Sequence, residues 1–423
     1  MAIAFRYSLW YTTQRFKEQK MVRQFYIDKI APFVDKSVVK VFTGIRRCGK
    51  SRIMGMVRDM LIARGVDENQ IVEANFESKK MRFVANVNVA FAHVQSCAAR
   101  VSGKRLYLLF DEIQELDGWE KFINSLRVDF DVDVYLTGSN AKLLSGELVT
   151  YLGGRYVEIH VFPFSFGEVL EWRGLEGTAL SLREVFGRYV REGGMPFLYD
   201  AGISGTSASE YLTDVFSSVV VKDIAKRRKV RDIDLLDRIL SYLVSEIGHL
   251  FSASSLKKYL RHESRDVSLE TLYNYVKFAE EACLIVPLKR NDLKGRRLLS
   301  GQEKIYIADH GFREAIFGGN ETAIDQVLEN IVAVELVRRG YSVTVGLIGA
   351  KEVDFVAEKG GEKIYVQVAY LMPTAEIRER EFSPLEAIDD NFPKYVVTMD
   401  EINFSHNGIV HCPIEEFLRC AIK

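Results

Sequence analysis

The 423-residue sequence is poor in cysteine and proline, and it lacks long apolar runs. Its 5 cysteines are scattered without metal-ligand spacing, which argues against a disulfide scaffold or zinc module and favours free thiols in a reducing cytoplasm. With 8 prolines and 48% hydrophobic residues, a mainly disordered chain is excluded. Because no apolar run reaches membrane-spanning length, we expect no contact with a membrane.

The sequence also has no excess of positive or of negative charge. The sequence has 57 Lys and Arg against 58 Asp and Glu, for a net charge of −1. Since no global basic field attracts nucleic acid, a nucleic-acid site has to be a local patch. A chain of this length is expected to form about two to four domains. Residues 1–20 do not resemble a secretory signal, and we interpret them as an extension or a mis-assigned start before Met21.

One stretch organises the rest of the chain. It matches Gly-x4-Gly-Lys-[Ser/Thr], the phosphate-binding loop, through residues Gly44, Ile45, Arg46, Arg47, Cys48, Gly49, Lys50 and Ser51. An apolar, β-branched run precedes it and a helical apolar spacing follows, which is the context that the motif needs. The loop amides and the helix dipole favour the phosphates of ATP. Lys50 is predicted to reach the β- and γ-phosphates, and Ser51 to hold Mg²⁺.

Further polar residues follow predicted strands. Asp111 and Glu112 end an apolar run; we expect Asp111 to support the Mg²⁺ shell and Glu112 to polarise the attacking water. The next predicted strand ends at Asn140, the candidate γ-phosphate sensor, with Ser139 as the second choice. Both residues are equally suited to cap the helix that follows. These positions are the strand ends at which parallel sheets place their sites.

A single arginine suggests a contact between subunits. Arg155 precedes a short predicted strand and follows two glycines. It is suited to act as an arginine finger in a neighbour's nucleotide site. The alternative is a local ion pair with an acidic residue.

Several motifs together resemble a known family. They are FTGIRRCGKS at 42–51, FDEIQ at 110–114, LTGSN at 136–140, GR at 154–155 and GGMP at 193–196. In this order they resemble the prokaryotic AAA-type ATPases (AAA_14) with a C-terminal DUF4143 domain, over nearly everything from Met21 to the C-terminus. The resemblance implies an ATPase core, a winged helix and a restriction-endonuclease-like domain. It favours Arg155 as a finger, a homo-oligomer (by analogy a hexamer), and action on DNA, including branched DNA.

The middle of the chain offers candidate DNA contacts. The basic run at 221–231 suits a phosphate backbone, although a solvated helix face is the commoner explanation. Two capped helices and a hairpin over residues 252–309 form a winged-helix pattern. The candidate contacts are Tyr273, Asn274, Lys277, Lys289, Arg290, Lys294, Arg296 and Arg297. A structural lid that only packs on the ATPase is the alternative.

The C-terminal region follows a nuclease-like order of polar residues. Glu335 lies on a predicted helix, and Asp354 and Gln367 lie on predicted strands. In such nucleases two carboxylates bind Mg²⁺ and a lysine orients the water. Gln367 stands in place of the second carboxylate and Ala369 in place of the lysine. We therefore expect a degenerate, inactive nuclease fold that still binds DNA or mediates assembly.

The predicted fold is α/β. It comprises an extension (1–20), a P-loop ATPase core with a parallel sheet (21–170), a helical lid (171–232), a winged helix (233–310) and a restriction-endonuclease-like α/β domain (311–423). The predicted function is a Mg²⁺-dependent ATPase that couples ATP binding and hydrolysis to DNA binding or remodelling. Two alternatives remain: a nucleotide-dependent switch acting on a protein partner, and an ATP-driven nuclease.

Overall fold

A computed structural model describes residues 21–78, 80–139, 153–176, 181–262, 265–295 and 297–419. Three parts of the sequence-based predictions lie outside these residues: the extension at 1–20, the candidate sensor Asn140 and the candidate DNA contact Arg296. None of the described helices is both long enough and apolar enough to cross a membrane.

The N-terminal region is built on five parallel strands, and this confirms the predicted sheet. They are β1 (Val39–Thr43), β2 (Ile71–Asn75), β3 (Leu106–Asp111), β4 (Val132–Thr137) and β5 (Tyr156–His160). Their order across the sheet is β2-β3-β4-β1-β5. Every residue of β1 and β3 is buried, as expected where helices cover both faces of a parallel sheet.

Helices pack on both faces of this sheet. They are α1 (Gln24–Ile30), α2 (Lys50–Ala63), α3 (Val87–Arg100) and α4 (Trp119–Asp129), with short 3-10 turns at Ala31–Phe33, Glu68–Gln70, Arg82–Val84 and Ile113–Glu115. Neighbouring strand residues point to opposite faces: Phe42 joins the apolar cluster under α2, whereas Val41 joins the cluster under α3 and α4. The sheet thus holds the start of α2 at the carboxyl end of β1.

A helical lid follows the sheet. It comprises α5 (Phe166–Glu176), α6 (Leu182–Glu192), α7 (Pro196–Asp200) and α8 (Thr206–Ser218), and α8 continues into a π-helix at Val219–Lys226. Ser181 and Glu184 form a capping box that starts α6. π-Helical turns are rare and frequently occur at functional sites.

Three helices and a hairpin come next. They are α9 (Ile233–Ser245), α10 (Ala253–His262), α11 (Leu269–Glu281), β6 (Ile285–Asp292) and β7 (Arg297–Ile307). Leu250 pairs with Lys304 of β7 in an antiparallel bridge. The two capped helices, α10 and α11, and the hairpin β6–β7 follow one another in the predicted order, and their assignment as a winged helix stays a prediction.

The C-terminal region adds a mixed sheet, as predicted. Its elements are α12 (Gly311–Phe317), α13 (Ile324–Arg338), β8 (Ser342–Ile348), β9 (Lys351–Lys359), β10 (Glu362–Val368), α14 (Ala375–Glu386), β11 (Lys394–Thr398), β12 (Ile409–Pro413) and α15 (Ile414–Arg419).

The hairpin and the C-terminal strands form one sheet, in the order β12-β11-β10-β9-β8-β6-β7. β6 pairs in parallel with β8, with Arg290 opposite Val345. The predicted boundary at residue 310 therefore does not separate two independent units, because backbone hydrogen bonds join strands from its two sides.

Candidate functional site

The loop between β1 and α2 folds tightly around its own lysine. Gly44 has φ +144, and a Cβ atom at this position would lie 2.2 Å from the Val161 carbonyl oxygen, so only glycine fits. Gly49, with φ +101, precedes the first turn of α2. The buried Lys50 Nζ donates to the carbonyl oxygens of Gly44 at 2.9 Å and Ile45 at 3.1 Å. The ammonium is thereby held inside the loop, next to the helix N-terminus.

Arg23, a buried arginine that was not predicted from the sequence, contacts the backbone of this loop. Arg23 is 3% exposed and donates to the Cys48 carbonyl oxygen at 3.0 Å and the Phe162 carbonyl oxygen at 2.9 Å. Its Nε lies 2.6 Å from Glu168 Oε1. Burial acts to raise the pKa of Glu168, but Arg23 outweighs it and holds the pKa below its ordinary value. Arg23 thus ties the loop backbone to the start of the lid.

Asp111 lies at the end of β3, beside Ser51. Its carboxylate accepts hydrogen bonds from Thr137 Oγ1 and from Asn75 Nδ2 at 2.9 Å, and the Ser51 hydroxyl lies close enough to act on its pKa. Burial raises the pKa of Asp111, while Thr137 and Ser51 act in the opposite direction. Hydroxyl and carboxylate oxygens are the ligands that Mg²⁺ prefers, so Ser51 and Asp111 fit the predicted ion.

Glu112 adopts a left-handed backbone conformation, with φ 52 and ψ 46. For a residue other than glycine this conformation costs about 1–3 kcal/mol and has to be held by its surroundings. The Glu112 amide donates to Thr137 Oγ1 at 2.9 Å, and Gln114 Nε2 donates to the Glu112 carboxylate. Thr137 therefore links Asp111 and Glu112 through one hydroxyl group. Thr137 was not among the residues predicted from the sequence, although it lies within the LTGSN motif at 136–140.

Ser139 points to the lid. It is fully buried, and its Oγ donates to Asp223 Oδ1 at 2.9 Å. Arg227 Nη2 donates to Ser139 Oγ at 3.2 Å, and Arg46 of the loop lies 3.4 Å from Asp223. The lid thus brings a buried carboxylate and an arginine to the phosphate-binding loop.

Arg155 lies at the amino ends of the strands, whereas the phosphate-binding loop lies at their carboxyl ends. It is exposed and directly precedes β5, whose first residue Tyr156 pairs with Val39, the first residue of β1. The phosphate-binding loop follows the opposite end of β1. Arg155 is therefore remote from Lys50 of its own chain, and a finger role requires a second copy.

The GGMP motif is a close-packed junction under the loop. A Cβ atom at Gly193 would lie 1.8 Å from Asp309 Oδ1, and one at Gly194 would lie 2.1 Å from the Phe164 carbonyl oxygen. Pro196 packs near Gly49. The buried Asp309 accepts from the Gly194 amide at 2.9 Å. Burial raises the pKa of Asp309 to about 7, against the hydrogen bonds from the Gly311 and Gly194 amides.

The predicted DNA contacts divide into two groups. Exposed side chains on α11 and the hairpin are Tyr273, Asn274, Lys277, Lys289, Lys294 and Arg297. Arg290, in contrast, is half-buried and donates to Glu352 at 2.8 Å, so it faces the C-terminal strands. The basic run is not one solvated face either, because Arg227 lies against Ser139 and Arg228 pairs with Glu281.

The predicted nuclease residues do not all come together. Glu335 pairs with Arg338 at 2.7 Å and Arg339 at 2.5 Å, on the side of α13 that faces Phe164 and Asp309. Asp354 and Gln367 are adjacent, since Gln367 Oε1 accepts from the Asp354 amide at 3.3 Å. Placing Glu335 with them was wrong.

A lysine occupies the centre of the carboxylates around Asp354. Lys304 Nζ lies 3.3 Å from Glu329, 2.8 Å from Glu352 and 3.8 Å from Asp354. Burial alone lowers the pKa of Lys304, but these three carboxylates outweigh it and hold the pKa above its ordinary value. Within the described residues, no group of three or more His, Cys, Asp or Glu side chains is arranged to hold a metal ion. Lys304 thus supplies the neutralising cation of this cluster.

Two family models match parts of the chain. Residues 36–170 match the family model of an AAA domain, and residues 183–323 match a domain of unknown function, DUF8612. The expected DUF4143 assignment is therefore wrong, because the second matching model is DUF8612 and it covers much of the lid and the hairpin region. Among solved structures, a Walker-type ATPase of Pyrococcus abyssi has a TM-score of 0.47 at 15% identity, covering 68% of this chain and 93% of that chain.

Two uncharacterised proteins are similar over most of their length. One from Methanocaldococcus jannaschii is 25% identical over 418 residues, which is 95% of this chain and 89% of that protein. One from Haemophilus influenzae is 36% identical over 378 residues, which is 89% of this chain and 92% of that protein. The chain therefore belongs to the same family of AAA-domain proteins as this Haemophilus influenzae protein.

Proposed function

We propose that the chain is a Mg²⁺-dependent ATP hydrolase. One observation carries the proposal: Lys50, Ser51, Asp111 and Glu112 meet at the carboxyl edge of the parallel sheet, around a loop that the positive φ angles of Gly44 and Gly49 close around Lys50. Membership in a family with an AAA domain supports it.

Each side chain has a distinct role in this proposal. Lys50 and the amides at the start of α2 bind the β- and γ-phosphates. Ser51 and Asp111 hold Mg²⁺, which when bound neutralises charge on the phosphate oxygens. Glu112 orients the attacking water and accepts its proton. Thr137 fixes the relative positions of Asp111 and Glu112, so that the metal ligand and the base act on the same phosphate.

The lid is the element that transmits the nucleotide state. Arg47 of the loop lies 5.5 Å from the centre of the Tyr211 ring on α8. Arg52 on α2 pairs with Asp200 at the end of α7, at 2.7 Å. A shift of the loop or of α2 on nucleotide binding is therefore passed directly to the lid helices.

DNA is the proposed partner of the surface on α11 and the hairpin. Lys277, Lys289, Lys294 and Arg297 are exposed there, and Tyr273 is 56% exposed. Lysine and arginine attract the phosphate backbone, and an exposed aromatic ring stacks on a base. Branched DNA is the proposed substrate class, and the proposed assembly is a homo-oligomer in which Arg155 reaches a neighbour's nucleotide.

The test is ATP hydrolysis at low salt, alone and with single-stranded, duplex and four-way-junction DNA. Lys50→Ala and Glu112→Gln are both expected to abolish ATP turnover. Glu112→Gln is expected to keep ATP binding. Stimulation by one form of DNA, lost in a Lys277→Ala/Arg297→Ala variant but kept in Lys351→Ala, supports the DNA surface. Lys351 is an exposed lysine on β9 and serves as the matched control.

Two outcomes would replace this proposal. Hydrolysis that is indifferent to every form of DNA favours a nucleotide-dependent switch on a protein partner. Nicking of plasmid DNA with Mg²⁺ or Mn²⁺, abolished by Asp354→Ala, favours an ATP-driven nuclease. The central position of Lys304 among the carboxylates argues against the nuclease, since an ammonium already balances their charge.

A further inference from the structure

Asp223 is a buried lid carboxylate that the roles described above do not use. It lies in the π-helix at Val219–Lys226 and is 2% exposed. Its Oδ1 accepts from Ser139 at 2.9 Å, and the same oxygen lies 3.4 Å from Arg46 and 3.4 Å from Arg227. Three side chains from the loop, the end of β4 and the lid thus converge on one oxygen atom.

The second oxygen of Asp223 is unsatisfied. Oδ2 is buried and has no hydrogen-bond partner in the described part of the chain. Leaving a buried charged acceptor unpaired is costly, because the group has lost its hydration without gaining a partner. Both arginine contacts are also longer than the usual ~2.7–2.9 Å of a strong charge-assisted hydrogen bond. The contacts of Asp223 with the two arginines are therefore weak, and a stronger anionic partner can displace Asp223 from them.

We propose that Asp223 is a positioning residue that competes with the γ-phosphate of ATP for Arg46 and Arg227. The inference rests on the proposed nucleotide site. Arg46 belongs to the phosphate-binding loop itself, and Arg227 reaches the end of β4 beside it. Without a γ-phosphate, Arg46 is shared between Glu77 at 2.9 Å and Asp223 at 3.4 Å, Arg227 pairs with Asp223, and the contacts to Asp223 keep the π-helix close to the loop.

Binding of ATP changes this balance by charge alone. The γ-phosphate adds negative charge close to Lys50, and Asp223 lies near enough to Lys50 for their charges to interact. The phosphate therefore attracts the arginines and repels the Asp223 carboxylate. ADP lacks the γ-phosphate and leaves the pairs in place. The π-helix consequently distinguishes the two nucleotides, and the lid moves in response to ATP.

The experiment is calorimetric binding of Mg²⁺ with a non-hydrolysable ATP analogue, and separately with ADP, without DNA. In Asp223→Asn, which removes the competing charge, we expect the analogue to bind at least about fivefold more tightly, while ADP affinity stays within about twofold. The matched control is Asp214→Asn, because Asp214 is an exposed aspartate on α8 of the same lid. It should leave both affinities unchanged.

A second variant separates competition from simple loss of structure. Arg227→Gln should weaken binding of the analogue by a similar factor and leave the affinity for ADP unaffected. In the double variant, the gain from Asp223→Asn should shrink, because the two residues share one interaction. Arg227→Gln also preserves the test if Asp223→Asn does not fold.

Three results would overturn the proposal. Equal changes for the analogue and ADP would mean that Asp223 only supports the fold. Strictly additive effects in the double variant would mean that Asp223 and Arg227 act separately. Wild-type protein that binds neither nucleotide would overturn the proposed ATPase function together with this inference, so the two failures are distinguishable.

Discussion

Arg23 and Glu168 form a bidentate ion pair, with donor–acceptor distances of 2.6 and 2.9 Å between residues 145 positions apart. Both side chains are almost completely buried, at 3% and 8% exposure. The same guanidinium donates to the Cys48 carbonyl oxygen of the phosphate-binding loop. The pair therefore fixes the position of the loop relative to the lid.

Removing one partner of this pair should destabilise the protein strongly. Glu168→Gln leaves the buried Arg23 cation without its counter-ion, and we expect the free energy of unfolding to fall by about 3–5 kcal/mol. Urea unfolding measures this. The control is Glu401→Gln in the exposed Arg183–Glu401 pair, with 54% and 84% exposure, which should cost less than about 1 kcal/mol. Equal losses of unfolding free energy in the two variants would contradict a structural role for the buried Arg23–Glu168 pair.

Thr137 should affect turnover more than nucleotide binding. Thr137→Val keeps the shape of the side chain but removes the hydroxyl that joins Asp111 to the Glu112 amide. A small displacement of the catalytic carboxylate costs about 10²-fold in rate, so we expect kcat for ATP to fall by this order. Thr137→Ser should restore most of it. Single-turnover hydrolysis and ADP calorimetry separate the two effects; an equal loss of ADP affinity would disprove this role.

Asp309 should make stability depend on pH. Burial raises its pKa in the folded protein to about 7, from 3.8. The folded state therefore binds this proton more tightly, and the contribution of Asp309 to stability is full below about pH 4 and is lost as the pH rises through 7. Between pH 5 and 8, wild type should lose on the order of 2 kcal/mol relative to Asp309→Asn. Urea unfolding at the two pH values tests this, and parallel pH profiles for the two proteins would rule it out.

Lys304 should be a structural requirement of the C-terminal sheet. Lys304→Met leaves Glu329, Glu352 and Asp354 without their shared cation, and we expect a loss of about 3–5 kcal/mol in unfolding free energy. The loss should diminish at low pH, where the carboxyl groups bind protons. Lys363→Met in the more exposed Lys363–Glu358 pair is the control, with an expected loss below about 1 kcal/mol. If Lys304→Met were as stable as this control, the cluster would carry no structural role.

The proposed nucleotide site could be predicted from the sequence because its residues fall in short segments that follow predicted strands. A single segment of eight residues contains the loop. Asp111 and Glu112 lie at the end of β3, which is the second strand after the loop. Arg23, the residue before α1, and Asp223, in the π-helix, reach the site from separate parts of the chain. An isolated arginine or aspartate carries no local pattern, so only the packed structure identifies these two residues.

The nuclease-like cluster shows why a correct order of elements was not sufficient. Glu329 and Glu335 both lie on α13, six residues apart, and therefore project about 120° apart around the helix axis. Sequence order alone could not tell which one faces Asp354. Lys304 comes from β7, which the predicted domain boundary had assigned to another unit, so its place in the cluster depends on a long-range strand pairing.

The sheet shared by β6, β7 and the C-terminal strands has a mechanical consequence. Bending between the hairpin and β8 would break backbone hydrogen bonds, whereas a rotation at the Gly193–Gly194 turn leaves every strand of that sheet paired. The exposed basic hairpin is therefore held rigidly to the C-terminal strands, and Asp309, just after β7, joins this sheet to the glycine turn below the phosphate-binding loop.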